Sequence, residues 1–213
     1  MMAKVIVNSN RPSFHKAFDF AWIMFRKQLG LFTAILLMFF ALWVILEVIV
    51  VVGQRFGFFL WVVAHLSFFV ILAGLEMGLI RMCLAAHDGK QIHYSDLFRE
   101  LPRGFNFLFV QLLYFVMILI GLLLLIVPGA YLSAKYGFYA FHFAEGDLNL
   151  KGSFQQSAMT SQGSVWFLFW FSVLLFLLNI VGASILGIGL MITVPLSVLM
   201  KASIYRQLRD VQQ

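Results

Sequence analysis

The sequence predicts an all-α protein that crosses a membrane several times. Of its 213 residues, 62% are hydrophobic and 17% aromatic, and only 11% carry a charge, whereas an ordinary soluble domain has about 25% charged residues. Long apolar runs recur along the whole chain, and a soluble domain of this length has too small an interior to cover them. These observations favour a single polytopic membrane domain over residues 1–213.

Six apolar runs are the predicted transmembrane helices, each of which needs about 20 residues to cross the hydrocarbon core. Glycine and proline mark a tight turn in LLLLIVPGA, between the third and fourth runs, and glycine marks another in NIVGASILGIG, between the fifth and sixth. The fourth and sixth runs are short, and tilted helices or deeper turns would account for their length. The runs cover residues 31–52, 58–80, 106–126, 129–143, 165–182 and 188–205.

Lysine and arginine set the predicted orientation. With six spans and a cytoplasmic N-terminus, only Arg55 of the 15 basic residues falls outside, and the tally places Lys4 and Arg11 inside. Cytoplasmic loops of membrane proteins collect basic residues, so we expect both termini in the cytoplasm and no removable signal peptide. The same rule explains the net charge of +6 without a nucleic-acid partner.

The runs form three pairs, and a short segment of mixed polarity precedes each pair. The segments are FHKAFDFAWIMFRKQLG, HYSDLFRELPRG and GSFQQSAMTSQG, and Ser95 and Ser153 are the expected N-caps of the second and third. Such amphipathic helices lie flat at a membrane interface. We therefore expect three repeated hairpins, each preceded by a short interfacial amphipathic helix, over residues 1–80, 81–150 and 151–213.

The second and third pairs match most closely. Tyr131, Lys135 and Tyr139 recur 66 residues later as a serine, Lys201 and Tyr205, and a proline lies upstream of each trio. The competing explanation is that segments rich in leucine and phenylalanine always resemble one another.

Four phrases carry a resemblance to a known family: GKQIHYSDLF, LIGLLLLIVPGAYLSAKYGFYAF, GSFQQSAMTSQGSVWFLF and GIGLMITVPLSVLMKASIYRQL, of which the IVPG turn is the most specific part. Over roughly residues 10–209 the chain resembles a bacterial family of six-span membrane proteins that includes the YciC proteins. That family is similar to the membrane domain fused to some glycerophosphodiester phosphodiesterases. The resemblance implies an all-helical inner-membrane protein, and it brings no catalytic motif.

Charged side chains within the apolar runs are the candidate functional residues, because a charge in hydrocarbon costs about 2.5–3.5 kcal/mol even on the gentler insertion scales. Lys135 lies in the fourth run, Lys201 in the sixth and Glu76 in the second. Glu76 and Lys201 each precede an arginine by five residues, so we expect similar depths near the inner face. The prediction is that both lysines face the bundle interior and share Glu76. The alternative for each lysine is snorkelling to the headgroups.

Two bases around one acid leave a surplus positive charge, which would attract a lipid phosphate or an anionic solute. Tyrosine and histidine side chains on the face of Lys135 extend this predicted ligand site. The simpler alternative is that the charges only lock helices together. The predicted cluster consists of Glu76, Lys135, Lys201, Tyr131, Tyr139 and His142.

Further polar residues lie elsewhere in the runs. Glu47 and His65 form a predicted outer pair across the first hairpin, where a carboxylate beside a histidine relays protons or senses pH. The alternative is that the outer headgroups wet both side chains. Gln111 and Asn179 are expected to form hydrogen bonds between helices.

These features predict a non-enzymatic membrane scaffold that binds lipids, another membrane protein or a second copy of itself, and supports envelope organisation. The family resemblance implies the bacterial inner membrane as its location. The sequence has no P-loop, nucleophile elbow or cysteine–histidine cluster, so we expect no enzyme activity, cofactor or metal. The alternative is a small transporter or channel for an anionic solute or lipid that uses the Glu/Lys cluster, since transporters contain repeated hairpins and broken spans.

Overall fold

The computed structural model describes residues 12–53, 57–146, 149–184 and 189–210, and all regular structure within these ranges is helical. The predicted all-α class is confirmed. Within the described ranges, four stretches are long and apolar enough to cross a membrane: Leu29–Gly53, Phe58–His87, Tyr94–Leu124 and Val165–Ser184.

The helices of the described ranges are numbered in chain order, and a 3₁₀ turn covers Leu101–Arg103. They are α1 (Phe14–Lys27), α2 (Leu29–Gly53), α3 (Phe58–His87), α4 (Tyr94–Phe98), α5 (Gly104–Leu124), α6 (Ile126–Tyr136), α7 (Tyr139–Glu145), α8 (Leu150–Thr160), α9 (Val165–Ser184) and α10 (Leu190–Asp210).

The long helices expose large apolar side chains on their outer faces. Phe40 of α2, Leu123 of α5 and Phe176 of α9 are 62%, 78% and 66% exposed. Water-soluble proteins rarely carry continuous apolar surface of this kind, whereas the hydrocarbon of a bilayer covers it. The exposed faces and the four long apolar stretches together identify a membrane protein.

The fourth and sixth predicted runs are not among the four spanning stretches. The chain divides the fourth run into α6 and α7 on either side of Gly137, so neither helix is long enough by itself. Helix α10 covers most of the sixth run, but its lysine and arginines make it more polar than the other long helices. The count of six spans therefore stays a prediction. Arg55, Lys4 and Arg11 lie outside the described residues.

Glycine contacts hold consecutive helices together near their connections. A Cβ atom on Gly121 of α5 would lie 2.9 Å from the Cα of Gly129 in α6, and a Cβ on Gly182 of α9 would lie 3.1 Å from the backbone of Gly189, just before α10. Small residues permit such close approach of backbones in a membrane. Both helix pairs thus use one glycine on each side of the contact.

Helix α3 lies at the centre of the packing and contacts α2, α4, α5, α7 and α10. Its Gly74 and Gly78 face the chain around the 3₁₀ turn, where Leu101 and Leu97 lie against them. The segment from α4 to the start of α5 therefore runs along α3 at backbone distance, and these two glycines make that approach feasible.

The predicted N-caps of α4 and α8 are wrong. The backbone N–H of His93 donates to Asp96 over 2.9 Å, so α4 begins after His93 and Ser95 lies within the helix. Asn149 caps α8, because its Oδ1 accepts from the N–H of Gly152 at 3.0 Å, and Ser153 is buried inside the helix. Asparagine is at least as good an N-cap as serine, and it comes earlier in the chain.

Helix α1 packs on α10. Its buried face consists of Ala17, Ala21 and Phe25, spaced one turn apart. The backbone N–H of Ser13 donates to Gln207 Oε1 at 2.8 Å and ties the start of α1 to the last turns of α10. The aromatic residues Phe14 and Trp22 remain exposed on another face of α1, and its position flat at an interface stays a prediction.

Candidate functional site

Glu76 of α3 forms a polar contact between helices. Gln111 Nε2 of α5 donates to Glu76 Oε2 at 2.6 Å, which confirms the interhelical hydrogen bond expected for Gln111. The carboxylate also interacts electrostatically with the ammonium of Lys201 and with Tyr139. Glu76 as a whole residue is exposed on the surface of the helix bundle.

Lys201 of α10 lies at a crevice among four helices. The crevice has a volume of about 160 Å³, and its walls include Tyr114 of α5, Ser133 of α6 and Ser172 of α9. Lys201 is partly buried, whereas Ser172 is exposed on α9, so the crevice opens sideways at the outer surface of the bundle. Within the described chain, the Lys201 ammonium has neither a hydrogen bond nor an ion pair within 4.0 Å.

Lys135 has different surroundings. Its ammonium lies 5.8 Å from the ring centre of Tyr131 and 5.6 Å from that of Tyr136, both on its own helix, which are cation–π distances. No carboxylate of the described residues pairs with it. The structure therefore brings Lys201, and not Lys135, to Glu76, and Lys135 lies beside tyrosine rings at the end of α6.

The two tyrosines predicted beside Lys135 also separate. Tyr139 is buried and packs between two rings, with centroid distances of 4.4 Å to Tyr114 and 5.4 Å to Phe154. This places Tyr139 close to Glu76 and to the wall of the crevice. Tyr131 is 46% exposed, and the contact that involves its ring is the one with Lys135.

His142 belongs to another buried network. Its Nε2 lies 2.9 Å from Thr160 Oγ1 of α8, and its Nδ1 lies 3.2 Å from the hydroxyl of Tyr205. That hydroxyl donates to Glu145 Oε2 at 2.6 Å. The network connects α7, α8 and α10 by polar contacts among buried or partly buried groups, and within the described chain none of its hydrogen bonds reaches Glu76.

Glu145 is the central acid of this end of the bundle. It pairs with Arg209 and Arg206, and Arg206 also donates to Asp88 at 2.7 Å, just after α3. Sequence reasoning missed Glu145, because its partners lie about 60 residues away and no local pattern links them. Its position directly after an apolar run was the one available signal.

A second ion-pair group joins α3 to the chain before α5. Glu100 is 2% exposed and pairs with Arg81 and Arg103. Arg81 also donates from Nε to the carbonyl oxygen of Ala144 at 2.7 Å, so one guanidinium connects three segments of the chain. From the sequence, Arg81 contributed to the predicted orientation and depth, and no partner was predicted for it.

Glu47 and His65, the predicted outer pair, are not joined by a hydrogen bond or ion pair in the described chain. Glu47 is exposed on α2. His65 Nδ1 lies 2.8 Å from the carbonyl oxygen of Trp61, and the two rings are 4.1 Å apart. His65 thus interacts with its own helix.

Asn179 forms the other expected interhelical hydrogen bond. Its Nδ2 donates to Ser197 Oγ of α10 at 2.9 Å, and the same amide contacts the carbonyl of Leu175. This prediction is confirmed. The bond lies between α9 and α10, close to the glycine contact of that helix pair.

Comparison with known proteins finds no match to this chain among protein-family models, curated proteins or solved structures. Within the described ranges, no three histidine, cysteine or carboxylate side chains converge in a way that would hold a metal ion. The resemblance to the six-span family therefore stays an expectation, and the geometry at Glu76 and Lys201 carries the functional argument.

Proposed function

We propose that this chain is a non-enzymatic, multi-pass protein of the bacterial inner membrane that binds the anionic head of a lipid beside Lys201 and acts as a lipid-binding scaffold of the envelope. One observation carries the proposal. The ammonium of Lys201 has no direct partner in the described chain and lines a crevice whose mouth, at Ser172, opens at the outer surface of the bundle.

An anion in the crevice would satisfy an otherwise costly charge. An amine among apolar helices needs a counter-charge or hydrogen-bond acceptors. Glu76 contributes only from beyond ion-pair distance, and it already accepts a hydrogen bond from Gln111. A carboxylate or phosphate oxygen in the crevice would pair with Lys201 and accept a hydrogen bond from Ser172.

The size of the crevice fits a head group and not a whole lipid. A water molecule takes about 30 Å³ of liquid volume, so about 160 Å³ holds roughly five waters or one small anionic group with some of its water. The apolar chains of the lipid would remain outside, along the exposed surface of α9. The bundle itself therefore needs no channel for this function.

The helix order supports the predicted six-span topology. Helices α2 and α3, α5 and α6, and α9 and α10 pack as consecutive pairs, and α1, α4 and α8 precede them. Helices α6 and α7 together cover 20 residues, from 126 to 145, which is about one bilayer crossing. The glycine contacts shared by the last two pairs favour the predicted repeat. Cytoplasmic termini would place the arginine-rich end of α10 on the side that the positive-inside rule expects.

Lys201→Met is expected to remove bound anionic lipid. Hydrogen bonds to charged groups are worth about 1.5–3 kcal/mol, so retention of phosphatidylglycerol relative to phosphatidylcholine should fall at least about tenfold. Native mass spectrometry of protein extracted from mixed-lipid membranes measures this ratio. Glu76→Gln should raise it, because the variant removes a negative charge that competes for Lys201.

Lys135→Met is the matched control, since it removes a lysine from a predicted span whose ammonium, among the described residues, lies beside two tyrosine rings and pairs with no carboxylate. Its lipid ratio should equal that of the native chain. Equal ratios in the native chain and Lys201→Met, or equal losses in both lysine variants, would show that the crevice does not hold the lipid.

Transport of an anionic solute is the second candidate, and it is favoured by the acid and base that approach each other at Glu76 and Lys201. Reconstituted vesicles distinguish the two functions. A transporter would show uptake of an anionic solute that depends on Lys201, whereas a scaffold would retain lipid in the same preparation and show no uptake.

A further inference from the structure

A larger polar pocket lies at the end of α3, away from the Lys201 crevice. Its volume is about 430 Å³, and it is enclosed by α3, the loop that follows, α4 and α10. Four cationic side chains line it: Arg81, Lys90, Arg99 and Arg206. Pockets of about 300–1,000 Å³ accommodate small molecules, so this one has room for a ligand of metabolite size.

The carboxylates in the walls of this pocket already have partners. Glu100 pairs with Arg81, and Glu145 pairs with Arg206. Asp88 accepts from Arg206 at 2.7 Å, and Asp96 accepts from the backbone N–H of His93. Glu100, Glu145 and Asp88 hold two of the cationic side chains in position, whereas the partner of Asp96 is a backbone N–H and not a cation.

Two cations of the pocket are not compensated in this way. Lys90 and Arg99 are exposed, and within the described chain their head groups take part in no hydrogen bond or ion pair. Lys90 lies in the loop after α3, and Arg99 follows α4, so the two approach the pocket from different segments. The pocket therefore combines a rigid floor of paired arginines with two free positive charges at its rim.

We infer that this pocket binds a phosphate-bearing anion from the cytoplasmic side. A guanidinium offers a planar fork of donors that matches phosphate oxygens, and lysine adds a mobile point charge. Carboxylate ligands would use this geometry less fully than a group with three terminal oxygens. The phosphate belongs either to a soluble phosphate ester or to the head group of a lipid such as phosphatidic acid.

A bound phosphate would also stabilise the bundle. It would cross-link the loop at Lys90 and the turn at Arg99 to Arg206 of α10, three segments otherwise connected by a few ion pairs. Anything that binds the folded state alone raises apparent stability by an amount that grows with the logarithm of one plus its concentration over Kd. The residues of this pocket do not include Lys201, so this inference can be tested independently of the proposed lipid site.

The test uses the purified full chain and two probes. Inorganic pyrophosphate represents a soluble phosphate, and its binding to the protein in detergent is measured by calorimetry. Phosphatidic acid represents a lipid head group, and its effect is measured as the melting temperature in nanodiscs with phosphatidic acid compared with nanodiscs of phosphatidylcholine. The combined variant Lys90→Gln/Arg99→Gln is compared with Lys27→Gln/Lys151→Gln, which removes two exposed lysines that do not line the pocket. Both variants change only exposed residues, so both should fold.

We expect saturable pyrophosphate binding that weakens at least tenfold in the Lys90/Arg99 variant and is unchanged in the Lys27/Lys151 variant. Stabilisation by phosphatidic acid alone, lost in the Lys90/Arg99 variant, would assign the phosphate to a lipid. The inference would be overturned if the native chain neither bound pyrophosphate nor gained stability from phosphatidic acid. It would also be overturned if both double variants reduced the effect of a probe equally. Lys201→Met should leave pyrophosphate binding unchanged, which separates this result from the test of the crevice.

Discussion

Glu100→Gln is expected to lower the free energy of unfolding by about 2–3 kcal/mol. The variant leaves the guanidinium of Arg81 without its carboxylate at a buried contact, and breaking a fully buried pair costs about 3–5 kcal/mol. The side chain of Glu100 is 3% exposed, but that of Arg81 is 38% exposed. Water can reach the guanidinium in the variant, so the expected loss lies below the full range.

Unfolding of the variants in mixed micelles of increasing denaturing detergent measures this loss. Glu47→Gln is the control, because it neutralises an exposed carboxylate for which the described chain shows no partner; it should change stability by less than about 0.5 kcal/mol. If Glu100→Gln unfolds at the same detergent concentration as Glu47→Gln, the ion pairs of Glu100 do not hold the start of α5 against α3.

Gly78→Ala is expected to destabilise the chain by about 2–3 kcal/mol through a steric clash. A Cβ at this position would lie 2.9 Å from the Cα of Leu97 and closer still to its carbonyl oxygen. Those atoms are backbone, so α4 as a whole must move away from α3. Overpacking of a tight contact costs about 1–3 kcal/mol, and a backbone obstacle favours the upper part of that range.

Gly30→Ala is the matched control for this clash. Gly30 is also in a helix, and a Cβ there would have no atom within 4 Å. Alanine is better than glycine within a helix by about 0.5–1 kcal/mol, so this variant should be as stable as the native chain or more stable. Thermal unfolding measures the change in stability of both variants. If Gly78→Ala and Gly30→Ala shift the unfolding temperature in the same direction, the packing of α4 on α3 is contradicted.

The predicted match in height between Glu76 and Lys201 agrees with their electrostatic interaction in the bundle. Their depth in a membrane stays a prediction. Arg81 and Arg206 line the same pocket, and Glu76 and Lys201, each five residues earlier, interact electrostatically. Counting residues from an arginine works on an unbroken helix, because the rise per residue is constant. Helices α3 and α10 both run unbroken through these positions.

The same argument did not locate Lys135. Its helix ends at Tyr136, and the chain resumes as α7 at Tyr139, so the face shared by Lys135 and His142 on one ideal helix is not kept. Glycine at position 137 gave a local hint of the break. The resulting environments depend on which helices pack beside each half, and one sequence without its contacts does not contain that information.

The ion pairs around Glu145 and Arg81 were also beyond sequence reasoning. Glu145 contacts arginines more than 60 residues away, and Arg81 reaches the carbonyl of Ala144. Such pairs follow from the order in which the helices pack, whereas the apolar runs follow from local composition. The helical class was therefore predictable in full, and the candidate site only in part.

Labelling of a thiol at the mouth of the crevice tests the central claim most directly. The one cysteine of the sequence, Cys83, is buried, so Ser172→Cys adds a reactive thiol at the crevice. With a membrane-permeant maleimide, labelling of this thiol should be several-fold slower in phosphatidylglycerol nanodiscs than in phosphatidylcholine nanodiscs. Adding Lys201→Met to Ser172→Cys should abolish the difference between the two lipids, whereas adding Lys135→Met should preserve it. Equal labelling in the two lipids, or a difference that survives Lys201→Met, would contradict an anionic head group held by Lys201.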